Sequence, residues 1–204
     1  MQTCKALLFL TAGLGLAGCD TGLGIGVSRQ APEQIRLADG MVVAGAEGWC
    51  VDTITTRSDD DAAVVVLGSC AALAENVRAP SPDVPGLVTV SVDSDDGGAA
   101  PTADQLESFF GTDAGRAALA RDGRAESVEI LETRRREDLL ILRAEDRSAA
   151  PGTDPEVWRA LFDLEGRFIS VSLYGLEDQP IESEDGLATL SEQVATLRAV
   201  NATP

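Results

Sequence analysis

The chain has 204 residues, 44% of them hydrophobic, and carries 34 acidic residues against 16 basic ones for a formal charge of −18. That apolar fraction is normal for a globular protein and argues against disorder, while so acidic a surface repels nucleic acid and anionic headgroups. Histidine is absent, which removes Ser-His-Asp and Cys-His catalysis, His-ligated zinc and the usual proton shuttle near neutral pH.

The first twenty residues read as an export signal. Lys5 gives a positive start, Ala6 to Leu16 is an apolar run, and Leu16-Ala17-Gly18-Cys19 closes it. A run of about 11 residues is too short for the roughly 20 that cross a bilayer as a helix, and its small final residues suit cleavage. Leu16, Ala17, Gly18 and Cys19 resemble the lipobox of bacterial lipoproteins. The resemblance implies cleavage after Gly18 and transfer of a diacylglycerol to the Cys19 thiol, leaving Cys19 as a new N-terminus bearing fatty acyl chains such as palmitate. Each buried methylene contributes ~0.8 kcal/mol, so two or three chains hold a protein stably on a membrane. The implied place is the bacterial cell envelope, with the protein anchored to the lipid bilayer through acylated Cys19 and facing the periplasm. Asp20 resembles the inner-membrane retention signal of enterobacterial lipoproteins, which favours the inner membrane and leaves the outer one open.

On this reading residues 1–18 are the signal peptide, 19–40 the lipidated cysteine and a flexible tether, and 41–204 one globular domain. Loss of the leader removes Lys5, the only lysine, and leaves 15 arginines against 34 acids, a formal −19. Lipid, not charge, must then hold the protein at the membrane. Gly22, Gly24, Gly26 and Pro32 mark the tether, which at about 5–6 Å times the square root of the residue number lets the domain stand roughly 20 Å clear of its anchor. Cys4 leaves with the signal and Cys19 takes lipid, so Cys50 and Cys70 remain in an oxidising compartment and are expected to pair. A redox couple is the alternative, but such couples usually sit as Cys-x-x-Cys at a helix start.

Along the domain, Met41 to Val43 suggests a short first strand. Glu47 to Ile54 and Ala62 to Cys70 read as an antiparallel pair around Thr55 to Asp61; Cys50 opposite Cys70 would set Ile54 opposite Val66. Val64 to Leu67 is a continuous apolar run, the mark of a central strand covered on both faces. Leu73 to Val77 suggests a helical turn, and the prolines at 80, 82 and 85 an irregular crossing. Leu87 to Asp93 alternates, with Val88, Val90 and Val92 inward. Thr102 and Gln105 have the form of a capping box ahead of Leu106, Phe109 and Phe110, and Thr112 is placed to cap a second helical half. Ala125 to Thr133 and Asp138 to Ala144 read as strands around an Arg134-to-Glu137 turn, and Glu156 to Leu164 and Arg167 to Gly175 as a hairpin around Glu165-Gly166. Leu187, Leu190, Val194 and Leu197 recur at helical spacing in a final amphipathic helix.

The fold class is therefore α+β: a mainly antiparallel sheet of hairpins with a mid-chain helix and a C-terminal helix packed on it. This order of elements, over about residues 41–201, resembles the PsbP-like fold found among small exported and lipid-anchored bacterial proteins and photosystem subunits. No residue motif accompanies the resemblance, and it carries no site residues with it.

Candidate chemistry is sparse. Carboxylate pairs are inevitable among 34 acids, whereas sugar clefts favour aromatic platforms, and only eight aromatic residues are present. Asp93, Asp95, Gly98 and Asp104 partly match a calcium loop, but Gly97 occupies a ligand position and Pro101 interrupts the loop. A solvated turn feeding the Thr102 cap is the commoner use of such residues. Asp59-Asp60-Asp61 reads likewise as a soluble hairpin tip. Arg134-Arg135-Arg136 suits phosphate, yet Glu132, Glu137 and Asp138 surround it and make a neutralised turn the simpler reading. Trp49, Trp158 and Phe162 are most simply core residues. With no catalytic residue, metal or cofactor assigned, the expectation is a non-enzymatic, membrane-anchored periplasmic lipoprotein acting by contact with other envelope proteins. The alternative is a periplasmic module that binds a small molecule or a cation. A carboxylate-dependent hydrolase comes third.

Overall fold

A computed structural model describes residues 30–59, 62–93 and 100–202, and the chain folds as α+β around an antiparallel sheet of eight strands. In chain order the elements are β1 (Gln34–Arg36), β2 (Val42–Ala44), β3 (Trp49–Val51), β4 (Arg57–Ser58), β5 (Ala62–Ser69), α1 (Cys70–Leu73), β6 (Leu87–Asp93), α2 (Ala103–Phe110), α3 (Asp113–Leu119), β7 (Val128–Arg136), β8 (Leu139–Asp146), β9 (Thr153–Leu164), β10 (Arg167–Leu176) and α4 (Ser183–Asn201). The large sheet runs β3-β5-β6-β10-β9-β8-β7, with β4 also beside β5, while β1 and β2 pair separately. Cys19, Asp20, and the acidic positions Asp60, Asp61 and Asp95 lie outside the described residues.

The sheet has two cores. One face packs Val65, Leu67, Val88, Val90, Trp158, Phe162, Ile169, Val171 and Leu173 against Leu190, Val194 and Leu197 of α4 and against the β1–β2 hairpin. The other packs Leu140, Leu142, Val157 and Leu161 against Leu106 and Phe110 of α2 and Leu119 of α3. Cross-strand alternation produces this division, since every second residue of a strand changes face. The β9–β10 hairpin turns at Glu165 (φ 55°) and Gly166 (φ 82°), both in the left-handed region that a two-residue hairpin turn needs. The expected capping box is formed: Gln105 N donates to Thr102 Oγ1 at 3.3 Å, and Thr102 N donates to Gln105 Oε1 at 2.9 Å. Thr112 Oγ1 accepts from Gly115 N at 3.1 Å and starts α3.

Helix α4 is tied to the β1–β2 hairpin by two side-chain amides. Gln193 is fully buried; its Oε1 accepts from Ala46 N at 2.9 Å and its Nε2 donates to Ala44 O at 2.6 Å. Two turns on, Asn201 accepts from Val42 N at 2.9 Å and donates to Val42 O at 2.8 Å. Each amide presents one donor and one acceptor, so it pairs with a strand edge as a neighbouring peptide would. Near the other end of α4, Gly186 lies directly on Trp158, where a Cβ would stand 2.5 Å from the buried Nε1. Glycine is there for close approach.

Several expectations are corrected. Residues 34–37, assigned to the tether, belong to the domain: β1 pairs with β2, Leu37 is buried, and Val51 N donates to Pro32 O at 2.7 Å. Only Ile35 within this strand and Leu37 just after it are apolar, too few for a periodic signal. The Cys50–Cys70 disulfide is present, with Cα atoms 4.8 Å apart, but Cys50 stands opposite Gly68 and the bridge is diagonal. Ile54 does not face Val66 and is 77% exposed, because Asp52 closes a side-chain turn that loops residues out of the ladder. Its carboxylate accepts from Ile54 N at 2.9 Å and Thr55 Oγ1 at 2.6 Å, and Thr56 Oγ1 takes the Val66 amide instead. Strand β5 is buried on one face only, with Val64 39% exposed. The helical turn near Leu73 comes earlier, as α1, and Val77 is solvent-exposed. Arg134 to Arg136 complete β7, and the turn contracts to Glu137-Asp138 because Leu139 to Leu142 all require a paired strand.

Two measurements test this architecture. Gln193→Leu leaves the Ala46 amide and the Ala44 carbonyl buried without partners, and urea unfolding should show a loss of about 2 kcal/mol or more; an unchanged midpoint would contradict the bridging role. Cys50 and Cys70 are 2% and 5% exposed. Without reductant neither should react with iodoacetamide, and reduction should cost about 3 kcal/mol for a loop of this length.

Candidate functional site

Helices α2 and α3 have eight and seven residues and cannot roof a whole sheet face. A helix about 10 Å wide covers roughly two strands spaced ~4.8 Å apart, so α2 and α3 sit over β7, β8 and part of β9 and stop. Beyond them the face carries Thr89 and Ser91 of β6 and Ser170, Ser172 and Tyr174 of β10. The register is continuous: Arg159 pairs with Ser172, Ser172 with Thr89 and Thr89 with Val66, and in the next row Leu161 pairs with Ser170, Ser170 with Ser91 and Ser91 with Val64. The two rows form a floor of hydroxyls flanked by apolar side chains.

A groove runs along the step between the helices and this floor, as two clefts. The first, of about 430 Å³, lies among Leu87, Thr89, Leu119, Val157 and Tyr174. The second, of about 730 Å³, lies among Ser91, Leu106, Phe109, Leu161, Phe168 and Ser170. Both volumes fall in the ~300–1,000 Å³ range of small-molecule sites. Arg159 and Ala118 belong to both clefts and mark where they meet.

Arg159 projects from β9 between Val157 and Leu161 on the groove side. It is half-buried, and its Nε is inaccessible to solvent and has no hydrogen-bond partner. Among the described residues the other half-buried arginines are all ion-paired: Arg116 with Asp113, Arg143 with Glu156 at 3.1 Å, Arg167 with Asp39, and Arg198 with Asp138 at 2.8 Å. Arg159 takes part in none of the ion pairs among the described residues. Two acids reach the first cleft and are occupied locally. Asp146 accepts from Arg121 N at 2.8 Å and from Ser148 Oγ at 2.6 Å, and Asp154 accepts from Glu156 N at 2.7 Å. Among the described residues two further buried side-chain nitrogens lack partners, Arg143 Nε and Trp158 Nε1. They lie on the α4 face, where the Arg143 guanidinium stacks 5.5 Å from the Trp158 ring centre.

The residues singled out by sequence do not converge here. Trp49, Trp158 and Phe162 are in the core under α4. Arg135 pairs with Asp104 and with Glu107 at 3.1 Å, and Arg134 with Glu132, so two of the three clustered arginines are neutralised by neighbours. Of the calcium-like loop, Asp104 is thus held by an arginine, and no cluster of three possible metal ligands occurs among the described residues. Two carboxylates are held more acidic than usual. Asp52 is lowered chiefly by the Thr55 hydroxyl, then by the Ile54 amide; Asp122 is lowered chiefly by the Ser127 hydroxyl. Both close exposed turns, and neither lines the groove.

Arg159 was not legible as a site from sequence. The only signal was a charge at the centre of the inward-facing series Val157, Arg159, Leu161, and an arginine on a sheet is more often ion-paired. Neither a protein-family model nor a curated protein matches the chain.

The Asp52 turn gives a pH test. A carboxylate whose pKa is lower in the folded state stabilises fully above its unfolded value and loses that contribution as pH falls from 3.8 through the folded value. Asp52→Ala should therefore melt below the parent at pH 7, with the gap narrowing as pH drops below 3.8; a gap that widens there would contradict the assignment.

Proposed function

We propose that the protein is a lipid-anchored module of the bacterial envelope, tethered through Cys19, facing the periplasm and working by binding rather than catalysis. Its recognition surface is the groove between α2–α3 and the uncovered half of the sheet. The single observation that carries this reading is that unroofed face, where Val64 of the sheet remains 39% exposed beside a hydroxyl floor and Phe109, on the adjoining edge of α2, remains 43% exposed. Contact with another envelope protein is the first role for such a surface, since exposed apolar groups rimmed by polar ones are what protein partners cover. The absence of histidine from the sequence and the structural duties of the groove's own carboxylates support a binding role over acid–base chemistry.

A second reading, a periplasmic small-molecule module, is favoured by one specific feature. The groove places a guanidinium without an ion pair where its two clefts meet. That points to an anionic ligand in place of the cation that overall charge suggested.

The test has two parts. Mass analysis of the protein from membranes should show loss of residues 1–18, a diacylglycerol on Cys19 and two hydrogens missing for the disulfide; full-length protein in the cytosol would end the anchored reading. A photo-crosslinking amino acid at Phe109 should then capture an envelope component in intact cells, while the same group at Val200 on α4 should not. Equal capture from both positions, or none from Phe109, would remove the groove as the recognition surface.

A further inference from the structure

The groove is asymmetric in chemistry in a way that selects a ligand class. Its walls are chiefly apolar, with Leu87, Leu119 and Val157 in one cleft and Leu106, Phe109 and Phe168 in the other. At the meeting point stands one cation, Arg159, with a desolvated Nε and no acceptor. An orphaned buried donor costs about 1–3 kcal/mol, more when charged, and folded proteins seldom leave one without a use. Among the described residues four half-buried arginines have an acidic partner; at the fifth, Arg159, the carboxylates nearby are turned onto backbone amides.

We infer that the groove binds a small amphiphilic monoanion, a carboxylate on an alkyl chain, with the head group on Arg159 and the chain along the apolar walls. This rests on the reading of the groove as the recognition surface and names what that surface takes. A planar carboxylate matches the fork of the two terminal guanidinium nitrogens, while Nε stays closed to solvent and senses the head group only as a neighbouring charge. The hydroxyls of Thr89 in the first cleft and of Ser170 in the second offer further donors to the second oxygen. The charge count decides between head groups. The first cleft is lined by Arg159, Arg121, Asp146 and Asp154, a formal charge of zero, so a bound carboxylate leaves one net negative charge there and a dianionic phosphate monoester leaves two, and the smaller excess favours the carboxylate. Overall charge also bears on the tail. At −18 the protein gives anions no long-range attraction, and a bare anion lacks the apolar contact that would hold it. Burial of the chain must provide most of the affinity.

The experiment uses the full chain in nanodiscs of zwitterionic lipid, labelled with ¹⁵N at arginine, and follows the Arg159 Nε–Hε signal identified by its loss in Arg159→Met. The probes are hexanoate, octanoate and decanoate, with acetate as a head without a tail, octyl glucoside as a tail without a charge, and octyl phosphate as a doubly charged head. Octanoate should shift the signal saturably and bind at least tenfold tighter than acetate, octyl glucoside or octyl phosphate. Each added methylene should tighten binding by up to about fourfold. Arg159→Met, read by calorimetry, should weaken octanoate at least tenfold. Ala118→Phe should also weaken it, because Ala118 is exposed and lines both clefts; an unchanged melting temperature shows that the variant is folded.

Equal affinity for octyl glucoside would overturn the anionic assignment, and a preference for octyl phosphate would overturn the monoanion. No saturable response to octanoate, or octanoate binding indifferent to both variants, would overturn the site. In each of these outcomes capture from Phe109 in cells is a separate result, so failure of the ligand class and failure of the groove as a recognition surface can be told apart.

Discussion

One buried amide fixes how this domain closes. Gln193 sits at the centre of α4 with no solvent exposure and joins the helix to the chain between β2 and β3 through two hydrogen bonds. A polar side chain at that depth is tolerable only if both ends of its amide are satisfied, and only one placement of helix against hairpin does so. Asn201 repeats the arrangement about two turns on, at Val42. Together they set the axial position of α4, and that position puts Gly186 over Trp158 and Leu190, Val194 and Leu197 over the sheet. An all-leucine helix would bury more apolar surface and would also slide.

The two faces of the sheet then have unequal fates. The α4 face is completed by a long helix and a hairpin, so its core is continuous from Trp49 to Phe162. The opposite face receives two short helices whose caps, at Thr102 and Thr112, hold them at one end. Length is the constraint, because 15 helical residues cannot cover eight strands. The uncovered strands respond in their sequence: β6 and β10 carry Thr89, Ser91, Ser170 and Ser172 on that side, while Val88, Val90, Val92, Ile169, Val171 and Leu173 fill the other. At the far edge, β7 shows Glu132, Arg134, Arg135 and Arg136, charges that discourage pairing with a further strand.

What could be read from the chain beforehand follows from the range of each signal. Helix caps, the Glu165-Gly166 turn, the alternation of β6 and β10 and the stripe of α4 are local, and the structure carries all of them. The Cys50–Cys70 pairing was reached by elimination and holds, but the register inferred from it does not, because Asp52 pinches three residues out of the ladder through side-chain hydrogen bonds that periodicity ignores. Strand β1 escaped notice because three residues leave no period. The apolar run Val64 to Leu67 suggested cover on both faces, yet whether a second layer extends over a strand depends on helices forty residues away. The groove belongs to that same non-local class: a long sheet, two short helices and one inward arginine are each visible in the sequence, and their meeting is not.

Arginine usage draws these strands of argument together. The described domain has no lysine or histidine, so every cationic side chain within it is a guanidinium, and an abundance of carboxylates makes partners easy to find. Arg143 and Arg198 go further and stack on Trp158 and Phe162 at 5.5 and 5.1 Å from the ring centres, closing the rim of the α4 core with both charge and apolar stem. Against that background the state of Arg159 cannot follow from a shortage of acids. Asp146 and Asp154 are close enough to line the same cleft, and each is instead engaged with a neighbouring backbone amide. A carboxylate already accepting such bonds is a weaker competitor for the guanidinium than a free one. The fold thereby keeps a cation within an apolar trough on an acidic protein, and a cation kept that way is available to a ligand that brings its own carboxylate.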